Sequence, residues 1–256
     1  MFIKGRVVDF VVVVVLFVAT WISIYLAHRG KTREIRSIPS LTAVTEGVKR
    51  AAEMGRPVFM SAGFGDVGSA TTMAGFAMLD VVASECARLE VPLRTTFASS
   101  ETLGAAEMIV AEAFRREGRP DLYQPGKQVI YFSGEQYAWV AGIGGLMARE
   151  RPACAVYMGT FFSEALYFGE CGARVGALQI GGTTAQLALP LLAMTMDYLM
   201  IGEEIYAVAA TITKDPVQMG SVTAQDIGKI ILYAISVIGV ILMLTGSDIV
   251  VKLMNM

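Results

Sequence analysis

The sequence predicts an α/β fold: a mostly parallel sheet of about six strands with helices on both faces, flanked by an N-terminal and a C-terminal transmembrane helix. Three observations carry that reading. Two long uncharged apolar runs lie near the two ends. Between them, short apolar runs alternate with longer helical stretches across turns rich in glycine and serine. Hydrophobic residues make up 54% of the 256 residues and charged residues only 17%, against about 45–50% and about 25% in an ordinary soluble domain. So much apolar surface excludes intrinsic disorder. A formal net charge of −2 gives no whole-chain attraction for nucleic acid, so none is expected as a partner.

The first apolar run, Phe10 to Ala27, holds no charged residue. Its 18 residues rise about 27 Å, close to the hydrocarbon thickness of a bilayer. The expected transmembrane helix covers residues 7–27, with Asp9 near the headgroups and Trp21 and Tyr25 toward the other interface. The run is longer than a signal-peptide core, and LAHRGK offers no small-residue cleavage site, so a retained anchor is expected. A basic juxtamembrane segment, residues 28–38, follows with Arg29, Lys31, Arg33 and Arg36, whereas only Lys4 and Arg6 precede the run. By the positive-inside rule the N-terminus lies outside and the following chain in the cytoplasm.

The second span covers residues 227–246, and its uncharged part runs from Ile230 to Gly246 between Lys229 and Asp248. Lys229 can snorkel to the interface. The span is expected to run from inside to outside, which makes the chain integral to the cytoplasmic membrane with both termini outside.

The elements of the middle follow in order. Ser40 to Met54 reads as a helix with Ser40 as its cap, Arg56 to Ala62 as a strand, and Ser69 to Leu89 as a long alanine-rich helix. Val91 to Ala98 is a second strand and Glu101 to Arg116 a helix. A loop with Gly118, Pro120, Pro125 and Gly126 leads to a third strand, Gln128 to Phe132, and a helix, Gln136 to Arg149. Ala153 to Met158 is strand four, with a helix over Ser163 to Gly172. Val175 to Ile180 is strand five, before a helix over Thr184 to Ala193. Asp197 to Ile201 is strand six, and Glu203 to Ala210 the last helix. Strands apolar on both faces, alternating with helices through right-handed crossovers, imply one doubly wound, Rossmann-like domain over residues 39–210. Residues 211–226 read as a polar connector to the second span. Val175 to Met196 is uncharged and long enough to cross a bilayer, but its glycines, glutamines and Pro190 suit a buried strand, a turn and a buried helix better.

In an open parallel sheet, ligands collect beyond the carboxyl ends of the strands, beside helix N-termini. The turns there supply the candidate ligand-binding residues Gly63, Gly65, Asp66, Gly68, Ser99, Glu101, Ser133, Glu135, Thr183 and Thr184. Gly63-Phe64-Gly65-Asp66-Val67-Gly68 matches GxGxxG between a strand and a helix. On that reading Gly63 makes the turn, Gly65 admits a pyrophosphate and Gly68 lets helix pack on strand. Asp66 beside the phosphates and the lack of a ribose-binding acid at the end of strand two oppose it, so a nucleotide remains one candidate cofactor. Glu101, Glu135, Glu164, Glu203 and Glu204 recur at turn-to-helix junctions, where acids answer the helix dipole.

The only histidine, His28, adjoins the first span, so a histidine-based triad or zinc site inside the domain is excluded. Cys86, Cys154 and Cys171 have no metal-ligand spacing and read as buried apolar residues in a reducing compartment. Aromatic residues from Tyr131 to Phe168 concentrate around strands three and four, as core, stacking surface or subunit contact. With 15 methionines they point to a homo-oligomer.

The N-terminal anchor, the SAGFGDVGSATTMAGF stretch, SSETLGAAE and the C-terminal span together resemble an uncharacterised family of prokaryotic integral membrane proteins. That resemblance brings no activity and no catalytic residue. The residues favour a membrane-anchored cytoplasmic domain acting as a self-associating scaffold or small-ligand sensing module. Two alternatives stand beside it: an enzyme binding a nucleotide or nucleotide-sugar at the glycine-rich edge, and a transporter subunit if residues 175–196 cross the bilayer.

Overall fold

The computed structural model describes residues 7–30 and 38–245. Lys4, Arg6, Lys31, Arg33, Arg36, the side chain of Asp9 and the residues from Gly246 onward lie outside the described residues. Helices α1 (Val7–His28) and α9 (Pro216–Leu244) form one compact unit, and the chain between them forms another.

The central unit begins with α2 (Pro39–Met54), β1 (Val58–Gly63), α3 (Ala70–Arg88), β2 (Leu93–Thr96), α4 (Ser100–Arg116) and a single 3-10 turn, Pro120–Leu122. It continues through β3 (Val129–Ile130), α5 (Gln136–Glu150), β4 (Cys154–Thr160) and α6 (Glu164–Val175). It ends with β5 (Leu178–Thr183), α7 (Leu189–Thr195), β6 (Tyr198–Ile201) and α8 (Glu204–Thr213). All strand pairings are parallel, in the order β3-β2-β1-β4-β5-β6. Val58 pairs with both Leu93 and Cys154, which starts β1, β2 and β4 level with one another.

Each sheet face has its own core. Val44, Val48, Leu79, Val82, Val110 and Val208 of α2, α3, α4 and α8 bury one face with Val58, Met60 and Val156. The other face carries Phe59, Ala155 and Tyr157 under Trp139, Ile143 and Met147 of α5, Phe168 of α6 and Leu192 of α7. Tyr157 and Phe168 stack with their planes 4° apart, and Trp139 meets Phe168 edge-on at 5.2 Å. The Trp139 indole donates to Thr96 Oγ1 at 3.0 Å, so its one polar atom is satisfied in the core. At the amino edge Arg56 donates to the carbonyls of Arg151, Pro152 and Val175, tying three connections together.

Several boundaries differ from the sequence reading for local reasons. Gly159-Thr160 and Gly181-Gly182-Thr183, expected as turns, extend β4 and β5, because Thr160 pairs with Gly63 of β1 and Gly181, Gly182 and Thr183 pair with Leu199, Met200 and Ile201 of β6. The third strand is only two residues long, since β2 offers it just Thr95 and Thr96 as partners. Pro190 sits in the first turn of α7 and delays that helix to Leu189. Residues 175–196 comprise the end of α6, β5 and α7, not one membrane-length helix. The segment 211–226 is largely helical. Asp215 accepts the Val217 N–H at 3.3 Å and Pro216 opens α9, an N-terminal signature that polar composition obscures.

Helices α1 and α9 are both long and apolar enough to cross a membrane. They pack antiparallel: Gly220 lies against Ile24 and Gly228 against Leu16. Gly220, Ala224 and Gly228, each four residues apart, are the buried residues of α9, a small-residue stripe that lets two backbones approach. This register sets Trp21 level with Thr223 and Tyr25 level with Met219, so the polar first turns of α9 run beside the aromatic end of α1.

In the central unit a methyl group at Gly75 of α3 would press on the Met158 carbonyl and on Ala62, whereas Gly104 of α4 has open space. Gly75→Val is expected to lower unfolding free energy by about 1–3 kcal/mol through overpacking. Gly104→Ala is expected to raise it by about 0.5–1 kcal/mol. Denaturant titration of the detergent-solubilised chain checks both, and equal midpoints for the two variants would refute this account of α3 packing.

Candidate functional site

In the strand order 3-2-1-4-5-6 the connections after β1 and β4 leave toward opposite faces, which opens a crevice at their carboxyl ends. Here that crevice is drawn together. Gly63 ends β1 at φ +76°, and the next residue, Phe64, donates its N–H to the Thr160 carbonyl at 2.9 Å. A side chain at Gly63 would run into that same carbonyl. The Phe64 ring sits edge-on to Trp139 at 4.7 Å, so the turn is pinned from below by the aromatic core.

The three glycines of the GxGxxG match therefore have different occupations. Gly63 makes the left-handed turn, as that reading requires. Gly65 is buried, and any side chain there would collide with Thr72 Oγ1 of α3, so its smallness serves packing within the chain. Gly68 is exposed with nothing near it, and the close helix-on-strand contact expected of it belongs to Gly75. Asp66 is exposed, and its carbonyl accepts the Ser69 N–H at 3.0 Å. Ser69, the cap residue of α3, makes no side-chain capping bond.

The other sequence-derived residues divide into two groups. Ser99 Oγ accepts from the Glu101 N–H at 3.3 Å and Ser133 Oγ from the Glu135 N–H at 3.0 Å, while Glu135 accepts the Ala138 N–H at 2.9 Å. These are helix caps on the β2 and β3 side of the edge, with Glu101 exposed in the first turn of α4. The second group gathers around the start of α3. Thr184 Oγ1 and Thr71 Oγ1 are 2.9 Å apart, and Thr71 Oγ1 reaches the Tyr206 hydroxyl at 3.1 Å. Thr183, fully buried at the end of β5, accepts the Ala185 N–H at 3.2 Å. Thr72 Oγ1 is buried between α3 and Gly65 without a hydrogen-bond partner.

Sequence reasoning did not single out Thr71, Thr72 or Tyr206. The Ser-Ala-Thr-Thr opening of α3 was the available signal, since hydroxyls in the first turn face the carboxyl edge. Among the acids of the described residues, Glu164 is the buried one. It accepts from Gln136 Nε2 at 2.8 Å and from the Phe162 N–H at 2.9 Å, tying the start of α5 to the start of α6. Glu204 accepts the Ile201 N–H at 3.0 Å. Of the aromatics around strands three and four, Trp139, Tyr157, Phe161 and Phe168 are core, and Tyr131, Tyr137, Phe162 and Tyr167 are exposed.

No group of three or more His, Cys, Asp and Glu side chains that could hold a metal ion occurs among the described residues. A family model described as a domain of unknown function, DUF6754, matches residues 1–254. The chain belongs to that family. No curated protein and no solved structure gives a significant match. The family's description supplies no reaction, so the chemistry of this DUF6754 domain rests on the residues themselves.

Burial pushes the Cys154 thiol up to about 12, and it holds Cys86 and Tyr157 well above their ordinary values as well. A thiol raised from about 9 stabilises the fold fully below pH 9 and loses that contribution as pH climbs from 9 toward 12. Stability is therefore expected to fall across that alkaline window, and less steeply in Cys154→Ala, as followed by denaturant midpoints at fixed pH. Thr72→Val replaces an unpaired buried hydroxyl by a methyl of the same shape, and such exchanges are nearly neutral or stabilising. A loss of more than about 1 kcal/mol for Thr72→Val would mean that the hydroxyl is partnered after all.

Proposed function

We propose that this protein is a membrane-anchored interaction module whose α/β domain works in the cytoplasm as a scaffold. On this reading α1 and α9 cross the cytoplasmic membrane side by side and both termini lie outside. The observation that carries it is the outward display of apolar side chains on both helices away from their shared glycine stripe. Phe17, Trp21, Val240 and Leu244 are all exposed, whereas the core helix of a soluble domain would bury such residues. An antiparallel pair returns the chain to the side of its N-terminus, and the basic residues 29–36 at the opposite end of α1 favour the cytoplasm for the domain between the two helices. Trp21 and Tyr25, level with Thr223 and Met219, suit the cytoplasmic interface.

Recognition is favoured over catalysis by what the polar groups at the carboxyl edge do. Glu135, Glu164 and Glu204 cap backbone N–H groups, and the hydroxyls of Thr71, Thr184 and Tyr206 satisfy one another. Self-association fits the unusually apolar surface of α1 and α9, where lipid and a second copy compete for the same side chains. A second reading, small-ligand sensing, is favoured by Thr72 Oγ1 lying unpartnered beside the uncapped start of α3. Retained small molecules in the purified protein, read by mass spectrometry, would support it.

Topology is tested with a membrane-impermeant maleimide on single-cysteine additions, the native cysteines being buried. Met108→Cys on the exposed face of α4 should react in inverted vesicles and not in right-side-out ones. Met243→Cys should be shielded in both. Reaction of Met108→Cys from the outside would overturn the orientation, and extraction of the chain by alkaline carbonate would overturn the anchoring.

A further inference from the structure

The basic residues of the central domain are sorted along the strand direction. No lysine or arginine occurs in residues 57–87, 95–114, 128–148, 152–173 or 175–213. The bases therefore sit at the C-terminal parts of helices and the amino ends of strands, where many are paired: Arg94 with Glu150 at 2.7 Å, Arg116 with Asp80 at 2.9 Å, and Arg88 with Glu85. The carboxyl edge holds Asp66, Glu101, Glu135 and Glu204, all exposed, with no base in its loops. Helices α3, α4, α5, α6 and α8 start at this edge, each bringing about half a positive charge. These four carboxylates, with Glu164 behind them, outweigh that and leave the edge negative.

The same edge exposes large apolar side chains between its acids. Val67 follows β1, Tyr131 and Tyr137 flank the turn after β3, Phe162 follows β4, Leu187 follows β5 and Ile201 ends β6. Leu187 is 81% exposed and Tyr137 80%, values usual for lysine and unusual for these residues. They alternate with charge along the chain: Asp66 beside Val67, Glu135 two residues before Tyr137, Ile201 three before Glu204.

We infer that the carboxyl edge docks a basic, amphipathic segment of another protein, its lysines and arginines meeting these acids and its apolar face covering Leu187, Phe162 and Tyr137. The inference deepens the scaffold reading and rests on it. Charge complementarity selects this occupant. A second copy presenting the same edge would set acid against acid, and anionic lipid headgroups would be repelled.

The test uses the full chain in phosphatidylcholine nanodiscs and two fluorescent synthetic helices, one of leucine and lysine and one of leucine and glutamate, with empty nanodiscs subtracted. Anisotropy should show binding of the lysine helix at least about tenfold tighter than the glutamate helix, weakening with salt. The Asp66→Lys, Glu101→Lys double variant and, separately, Leu187→Ser, Tyr137→Ser should each lower that affinity about tenfold, because none of these side chains caps a helix. Unchanged affinity in both double variants, or equal binding of the two helices, overturns the inference. Loss of an oligomer by Leu187→Arg in native mass spectrometry would also overturn it, by assigning the edge to a second copy. Vesicle labelling of Met108→Cys reads the anchoring reading separately, so lysine-helix binding together with outside labelling would sink the topology and leave the docking surface standing.

Discussion

A parallel strand has no face to spare for water, and the rest of this molecule follows from that requirement. The crossover helices needed to join parallel strands cover both sides of the sheet, so β1 is buried at all six positions and its side chains feed two separate cores. One core is aliphatic and alanine-rich, which brings α3 close enough that Gly75 touches the backbone of β4. The other is aromatic, and the hydrogen bonds of Trp139 to Thr96 and of Tyr157 to the Phe168 carbonyl orient its rings. With both faces spent on packing, only the two edges of the sheet remain to meet anything else.

Those edges are unlike each other because every crossover helix runs the same way. Helix C-termini and strand starts share the amino edge and attract the bases, which Arg56 uses to bind three carbonyls and others use to pair with acids. Helix N-termini share the carboxyl edge, which holds acids but no bases, and Glu135 and Glu204 act there as caps. The crevice that this topology opens between β1 and β4 is narrowed by the Phe64 N–H bond to Thr160 and by the aromatic floor under Phe64. A ligand entering there would have to compete with contacts the chain already makes with itself.

The terminal helices bury little of their apolar surface within the chain. Their apolar side chains face outward, and their contact with one another is made through Gly220, Ala224 and Gly228, whose small size lets the two backbones approach. Asp226 and Lys229 pair along α9 at 3.3 Å, which lowers the cost of carrying both charges near an apolar run.

The alternation of apolar runs and helical stretches, read with the rarity of charge, was enough to name the α/β class, a six-stranded parallel sheet and two apolar terminal helices, because burial on both faces writes itself into composition. Caps were less legible: Ser40, expected as a cap, lies inside α2, whose cap residue is Ile38, whereas Ser99 and Glu135, read as candidate ligand contacts, cap α4 and α5. Strand ends were not legible, since Gly181 and Gly182 look like a turn until Leu199 and Met200 of β6 pair with them. Nor could sequence tell that Gly65 is small for Thr72, that Gly68 is small for nothing, or that Thr71, Thr184 and Tyr206 meet. Local periodicity is set by which side of an element must be dry, and the chain carries that information residue by residue. Which glycine is crowded, which hydroxyl is satisfied and which acids share an edge depend on groups brought together from distant positions, and only the packed structure decides them.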